Sequence, residues 1–338
     1  MRRISILFLL AVINSCNRTD SDINVLTLGF DVDNYHTVNI DEMHGIILDG
    51  VTVGMVKDMR LVDSSLIIHS SSGLHRFSLG TGNLEVTYSR KGSGPEEYVS
   101  LWCCNVNDSV VQLYDMNRKR LLEYDEDGSF IRSIELPSSY NDNPFQAFVR
   151  VGGRYLGKRV YGGDSSIPEL AYYDENFLYL EDIQLKLNLR SGLMLHPPFT
   201  KNSEGSALYC RYFDNAVYEI TQYESALKYR IDFGQHSFDN GDDFKDEYDI
   251  IDYVNSAKQK YAVNFSAFQE DERFLTFCYH YDASKRLAVY DRVESKTFSM
   301  LFASESEVVD QICRGGNTLY ILTQCDDASA KLYEYELQ

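Results

Sequence analysis

The chain has 338 residues and carries 51 acidic against 32 basic side chains, a net charge of −19 at neutral pH. Such a surface repels duplex nucleic acid and anionic lipid, so neither is expected as a partner. Beyond the first residues no apolar run approaches the ~18 needed to span a bilayer, and 25 tyrosines, 18 phenylalanines and only 6 prolines suit a chain made mostly of pleated, half-buried strands.

In chain order, Met1-Arg2-Arg3 is a basic start and residues 4–13 form an apolar run, too short to cross a membrane and of the length of a signal-peptide core. Ile13-Asn14-Ser15-Cys16 resembles the lipobox of bacterial lipoproteins, with Asn14 a slight departure from its usual small or aliphatic residue. That resemblance implies a signal peptide over 1–15, Cys16 as the acylated first residue, and a cell-envelope address as an outer-membrane lipoprotein, periplasmic or surface-exposed. Residues 16–24 then read as a polar tether, and 25–338 as one domain. Without Arg2 and Arg3 the mature charge is −21. The six cysteines after Cys16 show no CxxC spacing, so free buried thiols are expected, with no zinc site.

The clearest pattern lies over 88–137. Alternating runs at 101–106, 109–114, 120–125 and 130–136 are separated by Asn107-Asp108, Met116-Asn117-Arg118-Lys119 and Glu126-Asp127-Gly128. Four antiparallel strands in about 40 residues make one propeller blade. The third strand gives a register mark at Tyr124, and comparable marks fall at Phe77, Tyr173, Ile220, Tyr290 and Tyr335, spaced 47, 49, 47, 70 and 45 residues apart. Six marks predict a six-bladed, all-β propeller. The long spacing predicts an insertion, and over 244–261 Phe244, Tyr248, Ile251, Val254 and Lys258 recur at helical intervals between blades 4 and 5. The last blade shows three strands, so an N-terminal segment, 25–30 or 36–41, is expected to supply the fourth and close the ring.

Gly92-Ser93-Gly94-Pro95-Glu96-Glu97-Tyr98, a strand, and then Asp115 to Arg120 resemble an NHL repeat, with Gly94, Pro95, Tyr98, Asp115 and Arg120 matching and Val99-Ser100-Leu101 standing where a proline is usual. With the lipobox and six blades, the mature chain is similar to the TolB-like six-bladed propeller lipoproteins, a resemblance that implies the fold and no reaction. Gly92 and Gly94 are expected at positive φ, Pro95 at a bend, and Glu96 as the cap of the turn.

For chemistry, the sequence holds no HExxH, P-loop or GxSxG, Asp239–Asp243 lacks the spacing of a calcium loop, and the seven histidines share no ligand spacing. No metal and no cofactor are expected. In a propeller the second strands end on the face of the blade-to-blade crossovers. His69, Asp115, Arg159, Tyr161, Arg211, Tyr212, His280 and Tyr281 fall there and would ring one mouth of the central channel. Arginine forks suit carboxylates and aromatic faces suit sugar rings. The expectation is therefore a non-catalytic propeller binding an acidic glycan, a peptide or another envelope protein, membrane-associated only through its lipid. The alternative is a propeller enzyme of the lactonase or glycan-lyase type with a metal at the channel mouth.

Overall fold

A computed structural model describes residues 25–88, 90–107, 110–137, 145–159, 168–185, 198–202, 205–211, 214–238, 252–253, 260–325 and 329–338. Three short strands come first: β1 (Leu26–Gly29), β2 (Tyr35–Asn39) and β3 (Gly45–Leu48). Six blades follow. Blade 1 is β4 (Val56–Val62), β5 (Ser65–Ser70), β6 (Gly73–Ser78) and β7 (Leu84–Tyr88). Blade 2 is β8 (Leu101–Asn107), β9 (Val110–Asp115), β10 (Arg120–Asp125) and β11 (Phe130–Glu135). Blade 3 is β12 (Phe145–Val151), β13 (Arg154–Arg159), β14 (Leu170–Tyr173) and β15 (Tyr179–Ile183). Blade 4 is β16 (Phe199–Lys201), β17 (Ala207–Tyr209), β18 (Ala216–Ile220) and β19 (Ser225–Asp232). Blade 5 is β20 (Val263–Glu270), β21 (Phe274–Tyr281), β22 (Ser284–Asp291) and β23 (Lys296–Ala303). Blade 6 is β24 (Glu307–Gly315), β25 (Thr318–Cys325) and β26 (Ala330–Glu336), completed by β3.

The molecule is thus a six-bladed β-propeller. Every register mark read from the sequence lies on the third strand of its blade, a strand paired on both sides and largely buried. The innermost strands β4, β8, β12, β16, β20 and β24 face one another around the axis. Each of the six seams between blades holds its own apolar cluster. Tyr114, Phe145, Phe148 and Phe177 fill the seam of blades 2 and 3, and Phe233, Phe265, Phe277 and Tyr279 that of blades 4 and 5. The core is therefore a wheel of sheet-on-sheet contacts rather than a central mass. The described cysteines are free, and all but Cys325 are buried.

Ring closure differs from expectation. The strand that completes blade 6 is β3, antiparallel to β26 with Leu48 opposite Ala330. The two segments expected in that role do something else: β1 runs parallel to β19, and β2 parallel to β23, as fifth strands on the outer edges of blades 4 and 5. The N-terminus is a strap that passes along blades 4, 5 and 6 in turn before blade 1 begins. Its apolar side chains Leu28, Phe30, Val32 and Ile40 are buried against those blades. The helix expected over 244–261 lies almost wholly outside the described residues, as do Cys16 and the tether.

The loop between blades 1 and 2 also departs from the reading. Neither Gly92 nor Gly94 has positive φ. Glycine is needed because the Glu97 carboxylate folds back over the turn: a Cβ on Gly92 would lie 2.1 Å from Glu97 Oε2, the atom that accepts the Gly94 N–H at 2.7 Å. Glu97, and not Glu96, caps the turn. The loop's carbonyls are taken by Arg118 (Ser93, 2.8 Å; Gly94, 3.0 Å), Arg120 (Pro95, 3.1 Å; Glu97, 2.6 Å) and the Tyr124 hydroxyl (Glu96, 2.5 Å).

Candidate functional site

The residues expected at the crossover mouth are fixed by the fold to different tasks. Asp115, fully buried at the end of β9, accepts the Val99 and Ser100 N–H groups at 3.0 Å each, so it fastens the crossover loop. Arg159 reaches across its own blade: it pairs with Asp182 at 2.8 Å, donates to the Tyr173 hydroxyl and the Pro168 carbonyl, and lies over the Tyr179 ring. Arg211 is buried in the seam of blades 3 and 4, with Nε 2.8 Å from Glu169 Oε2. Glu169 also accepts from the Tyr209 hydroxyl and lies 3.4 Å from Lys158 Nζ. Burial opposes the charge of Arg211 and is the largest single influence, but Glu169, Tyr209 and Asp214 together outweigh it and hold the pKa above its ordinary value.

On blade 5, burial, then the Lys285 ammonium, pushes the His280 pKa down to about 4, so its imidazole is neutral at pH 7. Tyr281 turns outward to the strap, where its hydroxyl meets His236 Nδ1 at 3.2 Å and the Arg286 guanidinium lies between the Tyr281 and Tyr35 rings. Tyr161 and Tyr212 lie outside the described residues. Among the described members, His69, on β5, borders a pocket of about 20 Å³ shared with Asp58, Arg60 and Phe199.

Asp58, Arg60 and Phe199 also line a larger pocket, which the sequence reading did not single out. A cavity of about 440 Å³ lies on the axis and is lined by all six innermost strands. Its residues run from Asp58 and Phe199, near the crossover ends of β4 and β16, to Asp63, Val106 and Arg314, near the hairpin ends of β4, β8 and β24, so the cavity extends along the axis. A register shift between Val56 and Asp58 bulges β4 at Lys57, after which Asp58 and Arg60 fall on one side. Arg60 Nε bonds Asp58 Oδ2 at 2.6 Å. Burial disfavours the guanidinium charge, yet Asp58 more than offsets it and raises the Arg60 pKa.

What sets this pair apart is incomplete pairing. Asp58 is 6 % exposed, and its Oδ1 has no hydrogen-bond partner among the described residues. The Arg60 side chain is 28 % exposed and makes no other hydrogen bond within the described chain. By contrast Arg314, in the same wall, donates to Asp271, Gly316, Thr276 and Phe274, and Gln269 exchanges two bonds with the Arg314 backbone. Ala267, also lining the cavity, holds a left-handed backbone at φ 51°, a strain of about 1 kcal/mol for an L-residue. The neighbouring thiols are unsuited to nucleophilic work, since burial pushes Cys104 to about 12. No group of three His, Cys, Asp or Glu side chains poised for a metal occurs among the described residues. The sequence did carry a signal for the pair: two opposite charges at alternate positions in Val56-Lys57-Asp58-Met59-Arg60-Leu61-Val62, a strand that the blade pattern places innermost.

The same architecture is found in solved structures. A candidate exported protein of Bacteroides fragilis superposes with TM-score 0.69 at 17% identity, covering 93% of this chain and 100% of its own. A duf4221 family member of Bacteroides vulgatus gives TM-score 0.57 at 9% identity over 87% and 97%. A protein of unknown function from Bacteroides thetaiotaomicron gives 0.53 at 10% identity over 91% and 75%. These likenesses show the fold. No curated protein matches the chain. The chain belongs to the family described as "Domain of unknown function (DUF4934)", whose model matches residues 49–334.

Proposed function

From that membership, we propose that the protein is an exported, lipid-anchored binding propeller that holds its ligand in the central channel. The observation that carries this reading is the axial cavity of about 440 Å³ with the Asp58–Arg60 pair in its wall, Asp58 Oδ1 being buried without a partner among the described residues. A space of that size suits a small ligand or one unit of a larger one. Buried polar groups left without partners inside a folded chain are the natural contacts of a missing molecule. Glycans and peptides of the envelope are the ligand classes proposed, with kinship to TolB-like lipoproteins and the NHL-like turn of blade 2 as supporting resemblances.

Export is supported by the signal-like N-terminus and by the exported assignment of a structural neighbour. Anchoring is proposed through Cys16 on the strength of the lipobox-like Ile13-Asn14-Ser15-Cys16; no helix among the described residues is long and apolar enough to cross a membrane. A Cys16→Ala protein is expected in the soluble envelope fraction with its fold intact, and retention in membranes would place the anchor elsewhere.

The channel itself is tested by filling it. Val106 lines the cavity and is only half-buried, so Val106→Trp projects an indole into the space. Every glycan or peptide hit of the unmodified protein should be lost in this variant, while a hit that survives it lies outside the channel. Stoichiometric divalent metal in the purified protein would instead favour the lactonase or lyase reading.

A further inference from the structure

We propose that the Asp58–Arg60 pair binds the adjacent hydroxyls of a sugar ring lodged in the channel cavity. This rests on the reading that the channel holds the ligand, and it names the chemical class. The two residues are held 2.6 Å apart through Arg60 Nε and Asp58 Oδ2; Asp58 Oδ1 has no partner among the described residues, and the partly exposed Arg60 makes no second hydrogen bond with them. Asp58 Oδ1 is an acceptor closed off from water, and Arg60, whose Nη groups can only donate, lines the cavity. A small rotation of the carboxylate, about a torsion that is broad for aspartate, brings Oδ1 to the space its side chain lines. The missing molecule must therefore donate to one point and accept at its neighbour.

Charge and shape narrow the choice. The pair is electroneutral, so a free carboxylate gains little from Arg60 once it also meets the charge of Asp58. An anionic group would in addition leave Asp58 Oδ1 unfilled, which is costly in a buried site. Two neighbouring hydroxyls satisfy both edges: one donates its hydrogen to Asp58 Oδ1 and the next accepts from Arg60 Nη. Gln311 and Thr200 add an amide and a hydroxyl to the same cavity, and Val106, Val149 and Phe199 supply apolar wall for the C–H face of a ring. His69, 2 % exposed, borders the smaller pocket behind the pair and closes it from the crossover side.

The test is calorimetric titration of the full mature chain with neutral hexose oligosaccharides, the same oligosaccharides after periodate cleavage of their diols, uronic-acid oligosaccharides, and peptides with free C-termini. We expect neutral oligosaccharides among the binders, and periodate cleavage to abolish their binding to unmodified protein. Asp58→Asn, whose fold is checked by an unchanged unfolding transition, should weaken them by about tenfold or more. Equal binding of cleaved and intact sugar, or binding of peptides alone, overturns the proposal, as does the absence of any saccharide binder. If Val106→Trp removes the hits but Asp58→Asn and periodate do not, the channel reading stands and the diol reading falls. Hits that ignore Val106→Trp sink the channel reading itself.

Discussion

The crossover loops and the channel wall of this propeller use the same residue types in opposite ways. At the crossovers, Asp115, Arg159 and Arg211 are held by partners from their own chain, so their charges hold loops and seams together. In the channel wall, Asp58 and Arg60 bond each other once, and Asp58 Oδ1 is buried beside a cavity without a partner among the described residues. A charged side chain at a strand end is thus a weak indication of a site, whereas a buried polar atom without a partner beside a cavity is a stronger one.

The sharpest way to break this contrast is Arg211→Ala. Glu169 would be left in the seam of blades 3 and 4 without its closest cation, and breaking a buried pair costs about 3–5 kcal/mol. Urea unfolding should show that loss, and an unchanged midpoint would mean that the pair does not hold the seam. Asp115→Ala comes next, at about 3 kcal/mol, because two buried backbone N–H groups lose a charged acceptor.

Acid offers a graded probe of the crossover face. His280 has its pKa lowered by burial and by Lys285 to about 4, so the unfolded chain binds the proton more readily than the folded one. Its contribution is fully present above the unfolded value near 6.5 and is lost as pH falls toward 4, with a total of about 3 kcal/mol. His280→Gln should flatten stability over that window; an identical acid limb in both proteins would remove His280 from the account.

Two smaller effects sharpen the comparison. Gly92→Ala forces the Glu97 carboxylate off the turn and should cost about 1 kcal/mol, read as a lowered unfolding midpoint. Gln311→Ala, in the cavity wall, should change stability by no more than about 0.5 kcal/mol. It should nonetheless weaken whatever ligand Val106→Trp excludes, and unaltered affinity would take Gln311 out of the site.

Much of the fold was legible because it repeats. Tyr124, Tyr173 and Tyr290 mark third strands by the same local alternation, and a two-residue period needs no knowledge of distant partners. The turn at 92–98 was legible as a turn, but not the choice of Glu97 over Glu96 or the reason for its glycines. Both depend on where one carboxylate comes to rest. The strap illustrates the limit: the segments that became β1, β2 and β3 all read as short strands, and nothing local assigns each to a blade edge some 200 or more residues away.

The site follows the same rule. The sequence by itself determined the number of blades, the period, the free cysteines as a class and the presence of two opposite charges at alternate places in β4, since all of these are properties of neighbours along the chain. Only the tertiary structure decided that Arg211 meets Glu169, that Tyr281 faces the strap, and that Asp58 keeps an unbonded oxygen next to the axial cavity. Whether a polar atom is filled or empty depends on the blades that close around it, and that closure is non-local.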